Sequence, residues 1–441
     1  MRLEGKSLRG DFFRFIIPAM IAQIVFSLYS MVDGIFVSYG VGEVALAAIN
    51  ISMPFLMFLF AIALVFAVGS STIIAVLIGE GKENDANKMY TQNLITVAVI
   101  SVIFSLIVVL FNDEIALFLG ATDSTIEYVK DYITTISIFS VFFIISYTFE
   151  ILIQTDGFPT LATLFVISGV VSNCILDYVF VILLDKGVFG AAFATGLSQV
   201  IVISLFATHF LSKRTHMKFV KFTFDRSLFI RSVRNGMAAG ITELSPGIVI
   251  FLFNHSIIKY LGEDALISYT IIAYVSSVVM YGITGVAQGI QPLVSYHYGG
   301  GRIEKCKKLF VYAMKFSCIF SIVAFILTKL FAGNVVNVFI SNNLTELKMY
   351  SVYALGIYTL SYFVVWMNIV IGGYLTAIER AKSSMAISIG RGLIFVSISL
   401  IILTAVVGGS GIWISAIVSE GMCLVLSFIL LREANNQIIY R

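Results

Sequence analysis

Long uncharged apolar runs constrain the fold of this chain more than any other feature. The segments from Gly187 to Ser212 and from Leu266 to Gly301 contain no Asp, Glu, Lys or Arg. Each is longer than the ~20 residues that an α-helix needs to cross a bilayer. The strands of a membrane barrel would instead show short segments of alternating hydrophobicity. We therefore predict an all-α integral membrane protein whose first partner is the lipid bilayer.

Composition excludes most other classes of protein. Hydrophobic residues make up 59% of the 441 and charged residues only 12%, whereas a soluble domain carries ~25% charged residues. The net charge of +3 is spread in short clusters between apolar runs and indicates no nucleic-acid partner. The four cysteines show no metal or disulfide spacing, and no catalytic triad or phosphate-binding loop stands out. We predict a protein that is not an enzyme and has no cofactor.

Breaks between apolar runs predict about twelve transmembrane helices with both termini in the cytoplasm. Of the 28 lysines and arginines, Lys315 and Arg391 fall inside predicted spans. Five more fall in predicted outer loops, which leaves 21 on the inner side, and the positive-inside rule then sets the orientation. The five are Lys130, Lys186, Lys259, Lys329 and Lys348.

An internal repeat divides the chain into two halves. One constant shift along the sequence superposes every glycine between positions 42 and 82 on a second glycine: Gly42, Gly69, Gly79 and Gly81 on Gly262, Gly289, Gly299 and Gly301. We predict a six-helix lobe at 1–211, a cytoplasmic linker at 212–234 and a second six-helix lobe at 235–441, with pseudo-twofold symmetry. Because six is even, both lobes enter the membrane from the same side, and a site is expected between or within them.

The predicted depths of four polar residues indicate a cation site in the N-terminal lobe. Asp33, Asp177 and Thr195 each lie six to eight residues from the outer end of a predicted span, which places them ~9 to 12 Å below the outer surface. Asn173 lies one turn deeper, on the same helix face as Asp177. Two carboxylates, an amide and a hydroxyl at one level would suit Na⁺ or a shared proton. The alternative is that each acid makes only a polar contact between helices.

Other polar residues inside the spans have weaker assignments. Glu150 and Gln154 are four residues apart and share a helix face. Glu150 either binds a proton or cation during transport or simply lies near the inner opening of the protein. Glu243 is expected near the inner end of its helix. Arg391 and Glu420 are isolated opposite charges that could pair. Pro18 could allow the first helix to bend.

Several of these segments resemble the multidrug and toxic compound extrusion (MATE) family, in particular its prokaryotic DinF-like and MepA-like branches. The resemblance covers nearly the whole chain and rests on five segments: IIPAMIAQIVFSLYSMVDGIFVSYGVGEVALAA, QTDGFPTLAT, NCILDYVFVILLDKGVFGAAFATGLSQ, AGITELSPGIVIFLFN and GVAQGIQPLVSYHYGGG. The run of Asn, Leu and Asp followed by GAAFAT is fairly specific to the family.

The resemblance implies a monomeric antiporter of the prokaryotic cytoplasmic (inner) membrane that exports cationic, amphipathic drugs in exchange for Na⁺ or H⁺. It assigns the cation site to Asp33, Asn173, Asp177 and Thr195, and helix bending to Pro18. Glu150 matches an acid important in the MepA-like branch. Gln154 and Glu243 are second-tier transport candidates on their positions in the sequence, not on the resemblance. A displaced Glu243, and Glu420 where Asp is usual, make an ion site in the C-terminal lobe doubtful.

Two other functions are alternatives to drug export. A lipid-linked oligosaccharide flippase of the same superfamily would need basic residues in its cleft, because its substrate carries an anionic headgroup. A membrane-embedded receptor or enzyme would need a catalytic constellation or an added domain, and the sequence offers neither.

Overall fold

The computed structural model is all helical. It describes residues 5, 7–41, 43–212, 214–221, 223–262, 264–340 and 344–439, with the backbone alone at 30–41, 43, 46, 264 and 437–439. The sixteen α-helices of this part of the chain are α1 Leu8–Val41, α2 Glu43–Gly79, α3 Glu83–Leu110, α4 Asn112–Phe118, α5 Ile126–Ile138, α6 Ser140–Thr155, α7 Pro159–Asp177, α8 Gly187–Phe210, α9 Arg226–Tyr260, α10 Asp264–Gly299, α11 Ile303–Phe339, α12 Thr345–Tyr358, α13 Tyr362–Ala377, α14 Ala381–Ile389, α15 Phe395–Val407 and α16 Ser410–Ile439.

The helices account for the predicted number of spans. Eleven helical segments of the described chain are long and apolar enough to cross a bilayer, some of them built from two consecutive helices. The twelfth span is broken, because α5 and α6 meet at an angle of 53° around Phe139. An all-α membrane protein with about twelve spans is therefore confirmed.

The sequence repeat appears in the structure as matching backbone geometry. Gly81 and its repeat counterpart Gly301 both adopt positive φ, at 77° and 70°, where α2 and α10 end. A side chain on Gly79 would collide with the carbonyl oxygen of Tyr296, and one on Gly299 would collide with that of Val76. The shift that superposes Gly79 on Gly299 also superposes Val76 on Tyr296, so each contact is the counterpart of the other. This reciprocity is what a twofold axis between α2 and α10 produces.

The two halves are joined by helices in backbone contact. Helix α2 packs along α9, and α1 packs along α10. A Cβ atom at Gly236 of α9 would overlap the carbonyl group of Val65, and one at Gly285 of α10 would meet the backbone of Met20 at 2.6 Å. Small residues allow such close approach of membrane helices, where dispersion contacts take the place of the hydrophobic effect. These glycines therefore set the spacing between the halves.

Replacing Gly236 by alanine should destabilise the protein. The new methyl group would force α2 and α9 apart, and overpacking of this kind costs about 1 to 3 kcal/mol. The matched control is Gly333→Ala on α11, where a Cβ atom would meet nothing within 4 Å; there the gain in helix propensity should stabilise by up to about 1 kcal/mol. Thermal unfolding in detergent measures both. Equal shifts for the two variants would contradict the close packing of α2 and α9.

The segment between α8 and α9 is held against the N-terminal half. Its main-chain groups make hydrogen bonds of 2.8 to 3.1 Å to the side chains of Asn87, Thr91, Gln92 and Asp156. Asp225 then caps α9 by accepting from the amides of Ser227 and Leu228 at 2.8 and 3.1 Å. Helix α9 therefore begins at Arg226, nine residues before the predicted position 235. The charged stretch before position 235 resembles a loop in sequence but is helical in the structure. The division into lobes at 211 and 235 stays a prediction.

Candidate functional site

Three of the four residues predicted to bind a cation meet between α7 and α8. Asn173 and Asp177 lie on one face of α7 and are 2% and 1% exposed, so their polar groups need partners within the protein. Amide orientation is decided by the neighbouring atoms. In the orientation that satisfies them, Asn173 Nδ2 donates to Asp177 Oδ2 at 2.8 Å, and Asn173 Oδ1 accepts from the Thr195 amide at 3.2 Å.

A fourth member of this cluster was not anticipated from the sequence. Tyr29 of α1 accepts at its hydroxyl oxygen from Asn173 Nδ2, at 2.7 Å. Tyr29 and Asp33 are four residues apart and so share a helix face, a signal that could have pointed to Tyr29. The side chain of Asp33 lies outside the described residues. The cluster of Tyr29, Asn173, Asp177 and Thr195 therefore supplies carboxylate, amide and hydroxyl oxygens, the ligand types that hard cations prefer.

The backbone after Asp177 departs from α-helical geometry. Residues 178 to 183 form a π-helical turn, with α7 on one side and the loop to α8 on the other. A π-turn inserts an extra residue and rotates the side chains before it relative to those after it; such turns are frequent at functional sites. A second π-turn, at 390 to 394, lies between α14 and α15 in the other half. Neither turn was predicted, because periodicity does not distinguish one extra residue in an apolar run.

A central cavity lies where the two halves meet. Both halves contribute carboxylates to it, Glu150 from α6 and Glu243 from α9. Its polar lining is completed by Gln23, Thr284 and Gln288, and Gln23 Nε2 donates to Gln288 Oε1 at 2.7 Å across the halves. The remaining lining is apolar or aromatic: Ala22, Phe26, Phe60, Leu64, Tyr147, Val166 and Tyr281. Among the described residues, no Lys or Arg lines the cavity.

Aromatic rings form most of one wall of this cavity. Phe26 lies at the centre of the group, with its ring 5.9 Å from Tyr281, 6.2 Å from Phe60 and 6.4 Å from Tyr147. Tyr147 is also within electrostatic range of both Glu150 and Glu243. Ring faces and carboxylates both attract cations, including organic ones. The volume is about 50 Å³, well below the ~300 Å³ of a drug-sized pocket, so the halves must part to admit a large ligand.

The positions of the two carboxylates refine the expectations from sequence. Glu150 lies five residues before α6 ends at Thr155, and it lines the cavity. Glu243 is seventeen residues from both Arg226 and Tyr260, so it lies at the middle of α9, and the expected position near one end of its helix is wrong. The prediction failed because the early start of α9 was missed. Neither carboxylate has an ion-pair partner among the described residues.

Gln154 and Pro18 occupy different surroundings. Gln154 is buried one turn after Glu150 and is absent from the cavity lining. Pro18 lies inside α1, where its missing N–H removes one helical hydrogen bond. Its own carbonyl accepts a hydrogen bond from Thr163 Oγ1 of α7 at 2.8 Å. The proline therefore weakens α1 at a point where α7 holds it.

Arg391 and Glu420 pair as the sequence suggested. Arg391 Nε donates to Glu420 Oε1 at 2.7 Å, between the second π-turn and α16. No group of three or more His, Cys, Asp or Glu side chains suited to a metal occurs in the described part of the chain. The oxygens around Asp177 are thus the best candidates for a bound cation, and the central cavity is the best candidate for a larger ligand.

Comparison with known proteins identifies the family. The MatE family model matches residues 18–179 and 247–401, together more than half of the chain. Multidrug export protein MepA of Staphylococcus haemolyticus is 22% identical over 437 residues, which cover 99% of this chain and 96% of that protein.

Solved structures show the same fold. A MATE protein in complex with MaL6 superposes with a TM-score of 0.94 at 23% identity, covering 99% of this chain and 100% of the other. An outward-facing multidrug resistance MATE family transporter of the MOP superfamily gives a TM-score of 0.90 at 24% identity, covering 97% and 96%. At such low identity the likeness concerns the fold, and it confirms the expected MATE/MOP architecture. The family match, with the helical architecture just described, shows that this chain belongs to the MatE family.

Proposed function

We propose that this protein is an antiporter that exports cationic, amphipathic compounds in exchange for Na⁺ or H⁺. As a member of a family of transporters, the chain is a multi-pass membrane transporter and not an enzyme, and such transporters need no cofactor. The direction of transport and the range of substrates are proposed by analogy with the multidrug export protein MepA. We place the protein in the prokaryotic cytoplasmic membrane, with both termini inside, as a monomer.

The central cavity is the observation that carries this proposal. Glu150 and Glu243 approach it from opposite halves without a basic partner among the described residues, next to a wall of aromatic rings. Two such carboxylates in a low-dielectric interior favour a ligand that brings positive charge. Rings accept flat apolar groups of varied shape, which suits loose selectivity. The same lining disfavours a flippase for lipids with anionic headgroups, because no guanidinium or ammonium group of the described chain faces the cavity.

Helix α1 offers a physical connection between the proposed ion site and the cavity. Tyr29 contacts Asn173 in the cluster around Asp177, and Phe26, one turn away, lies at the centre of the cavity wall. The two rings are 6.3 Å apart. Binding of a cation beside Asp177 would rearrange the hydrogen bonds of Asn173 and Tyr29 and so shift α1, with Pro18 as the weak point. The cavity side chains on α1 would then move with it.

Antiport requires that the ion and the substrate oppose each other. If the cation stabilises the state in which α1 disfavours the substrate, then the substrate must weaken binding of the cation by the same factor. In the proposed cycle the outward-facing protein takes up Na⁺ or H⁺ at Asp33 and Asp177 and releases the drug. In the inward-facing state the drug binds and the ion leaves to the cytoplasm. The side chain of Asp33 lies outside the described residues, so its part in the site is a proposal from sequence.

Purified protein in lipid vesicles tests the proposal. A fluorescent organic cation is the substrate, and Na⁺ and pH gradients are imposed separately at matched ionic strength. We expect one gradient to drive the dye against its concentration gradient and the other to have little effect. If neither gradient drives any organic cation, and the protein instead moves a lipid-linked anionic headgroup across the membrane, the antiporter proposal is rejected in favour of the flippase.

A further inference from the structure

The ion pair of Arg391 and Glu420 belongs to a larger buried network in the C-terminal half. Glu420 is 9% exposed, and both of its carboxylate oxygens are engaged: Oε1 accepts from Arg391 Nε and Oε2 from Asn368 Nδ2, each at 2.7 Å. Ser427 Oγ in turn donates to Asn368 Oδ1 at 2.8 Å. Arg391 Nη2 reaches Met280 Sδ of α10 at 3.5 Å. Each oxygen of the carboxylate thus has a hydrogen-bond donor supplied by the chain itself.

The repeat identifies the residues of the N-terminal half that correspond to this ion pair. The shift that superposes Gly187 on Gly408 places Val170 opposite Arg391 and Gln199 opposite Glu420. Gln199 is neutral, and its Oε1 accepts from Ser146 Oγ at 2.6 Å. The N-terminal half therefore has a neutral hydrogen bond where the C-terminal half has an ion pair. Both charged residues of the ion pair correspond to neutral residues in the N-terminal half, so the net charge of this region is zero in both halves.

Both halves also contain a buried carboxylate that accepts from an asparagine amide. In the N-terminal half Asn173 Nδ2 donates to Asp177 Oδ2 at 2.8 Å, and in the C-terminal half Asn368 Nδ2 donates to Glu420 Oε2 at 2.7 Å. Glu420 accepts in addition from the guanidinium of Arg391, whose counterpart in the N-terminal repeat is the apolar Val170. This guanidinium is covalently part of the chain and cannot dissociate from the protein as a bound ion can.

We infer that Arg391 is a tethered counter-ion that permanently occupies the Glu420 carboxylate, so that this buried acid of the C-terminal half exchanges no ion with solution. The inference rests on the proposed ion-coupled function. Arginine stays charged at all physiological pH values, so a change of pH does not release the carboxylate. Tyr358 and Cys423 also lie within electrostatic range of Glu420, and neither of them carries a positive charge. Removing the guanidinium should therefore create a second exchangeable cation site.

The experiment counts the cations bound by the purified full-length protein in detergent, where transport is not needed. Radioactive Na⁺ binding at alkaline pH gives Na⁺ per chain, and proton uptake on acidification in K⁺ buffer covers the case in which the carboxylate takes H⁺. We expect Glu420→Gln and Arg391→Lys to bind as many cations as the wild type. Arg391→Met should gain one Na⁺ or one H⁺ per chain. The double variant Arg391→Met with Glu420→Gln, which is neutral, should lose that gain.

Two results would overturn the inference: a lower cation count in Glu420→Gln than in wild type, or no gain of either ion in a folded Arg391→Met. If Arg391→Met does not fold, the comparison of wild type with Glu420→Gln and Arg391→Lys still tests the inference. If Glu420 did exchange an ion, Glu420→Gln would bind fewer cations per chain than the wild type. The outcome is separate from that of the vesicle assay. Absence of antiport would refute the proposed function, whereas the number of cations held at Glu420 would be unaffected.

Discussion

Asp177→Asn should abolish ion-driven efflux while leaving the protein folded in the membrane. Asparagine keeps the shape of the side chain and can still hydrogen-bond to Asn173, but it carries no charge and takes up no proton. Loss of one member of a buried charged contact costs about 2 to 5 kcal/mol, which corresponds to a roughly 30- to 4000-fold loss of ion affinity. At ordinary Na⁺ or H⁺ concentrations the site would then stay empty. The vesicle assay with an imposed gradient measures the loss.

The matched control for this substitution is Asp185→Asn. Asp185 is exposed in the loop before α8 and has a φ of 48°, a conformation that asparagine also tolerates. Its transport should equal that of the wild type. Thermal unfolding in detergent shows whether Asp177→Asn is folded, and at saturating Na⁺ or low pH the wild type should gain stability that the variant does not. A folded Asp177→Asn with undiminished gradient-driven efflux would remove Asp177 from the coupling site.

The polar residues differ in how far sequence could place them. Asn173 and Asp177 share a helix face by their spacing of four, and the predicted depth correctly brought Thr195 to them. Tyr29 was missed because its hydroxyl is one of many on aromatic residues in apolar runs, and its spacing of four from Asp33 was not used. Glu243 was expected near one end of its helix, because the charged stretch before position 235 looks like a loop in sequence although it is helical. That Glu150 and Glu243 face one cavity depends on the packing of α6 and α9 against α2, which periodicity does not encode.

The fold was predicted more completely than the site, for a physical reason. Bilayer thickness sets a minimum length for apolar helices, so spans are visible in composition alone. The internal repeat gave the relation between the halves, and the contacts of Gly79 and Gly299 show how that relation is realised. Each π-turn adds one residue to a helical turn, and the break at Phe139 bends one span by 53°. Such local changes come from tertiary packing and leave no clear pattern in an apolar segment.

Glu150→Gln and Glu243→Gln should each weaken transport of organic cations and leave transport of neutral compounds of similar size nearly unchanged. Each carboxylate supplies charge to the same cavity, and a charge-assisted contact is worth about 1.5 to 3 kcal/mol, so each single variant should raise the apparent KM for a cationic dye roughly 10- to 100-fold. Glu304→Gln on the exposed start of α11 is the control for loss of one acid, since Lys307 is the only ion-pair partner of Glu304 among the residues that the structure describes, and the pair lies at the surface.

The double variant then shows whether the two halves hold one cation together. If Glu150 and Glu243 neutralise the same positive charge, the two losses should not add: the second substitution should cost less in the background of the first, with a coupling of about 0.5 to 3 kcal/mol. If each carboxylate holds its own group, the losses should add to within about 0.5 kcal/mol. A shared cation would bind the two halves across the cavity, which would make the substrate itself a force that draws α6 and α9 together during transport. Unchanged KM for organic cations in both single variants would exclude the central cavity as the substrate site.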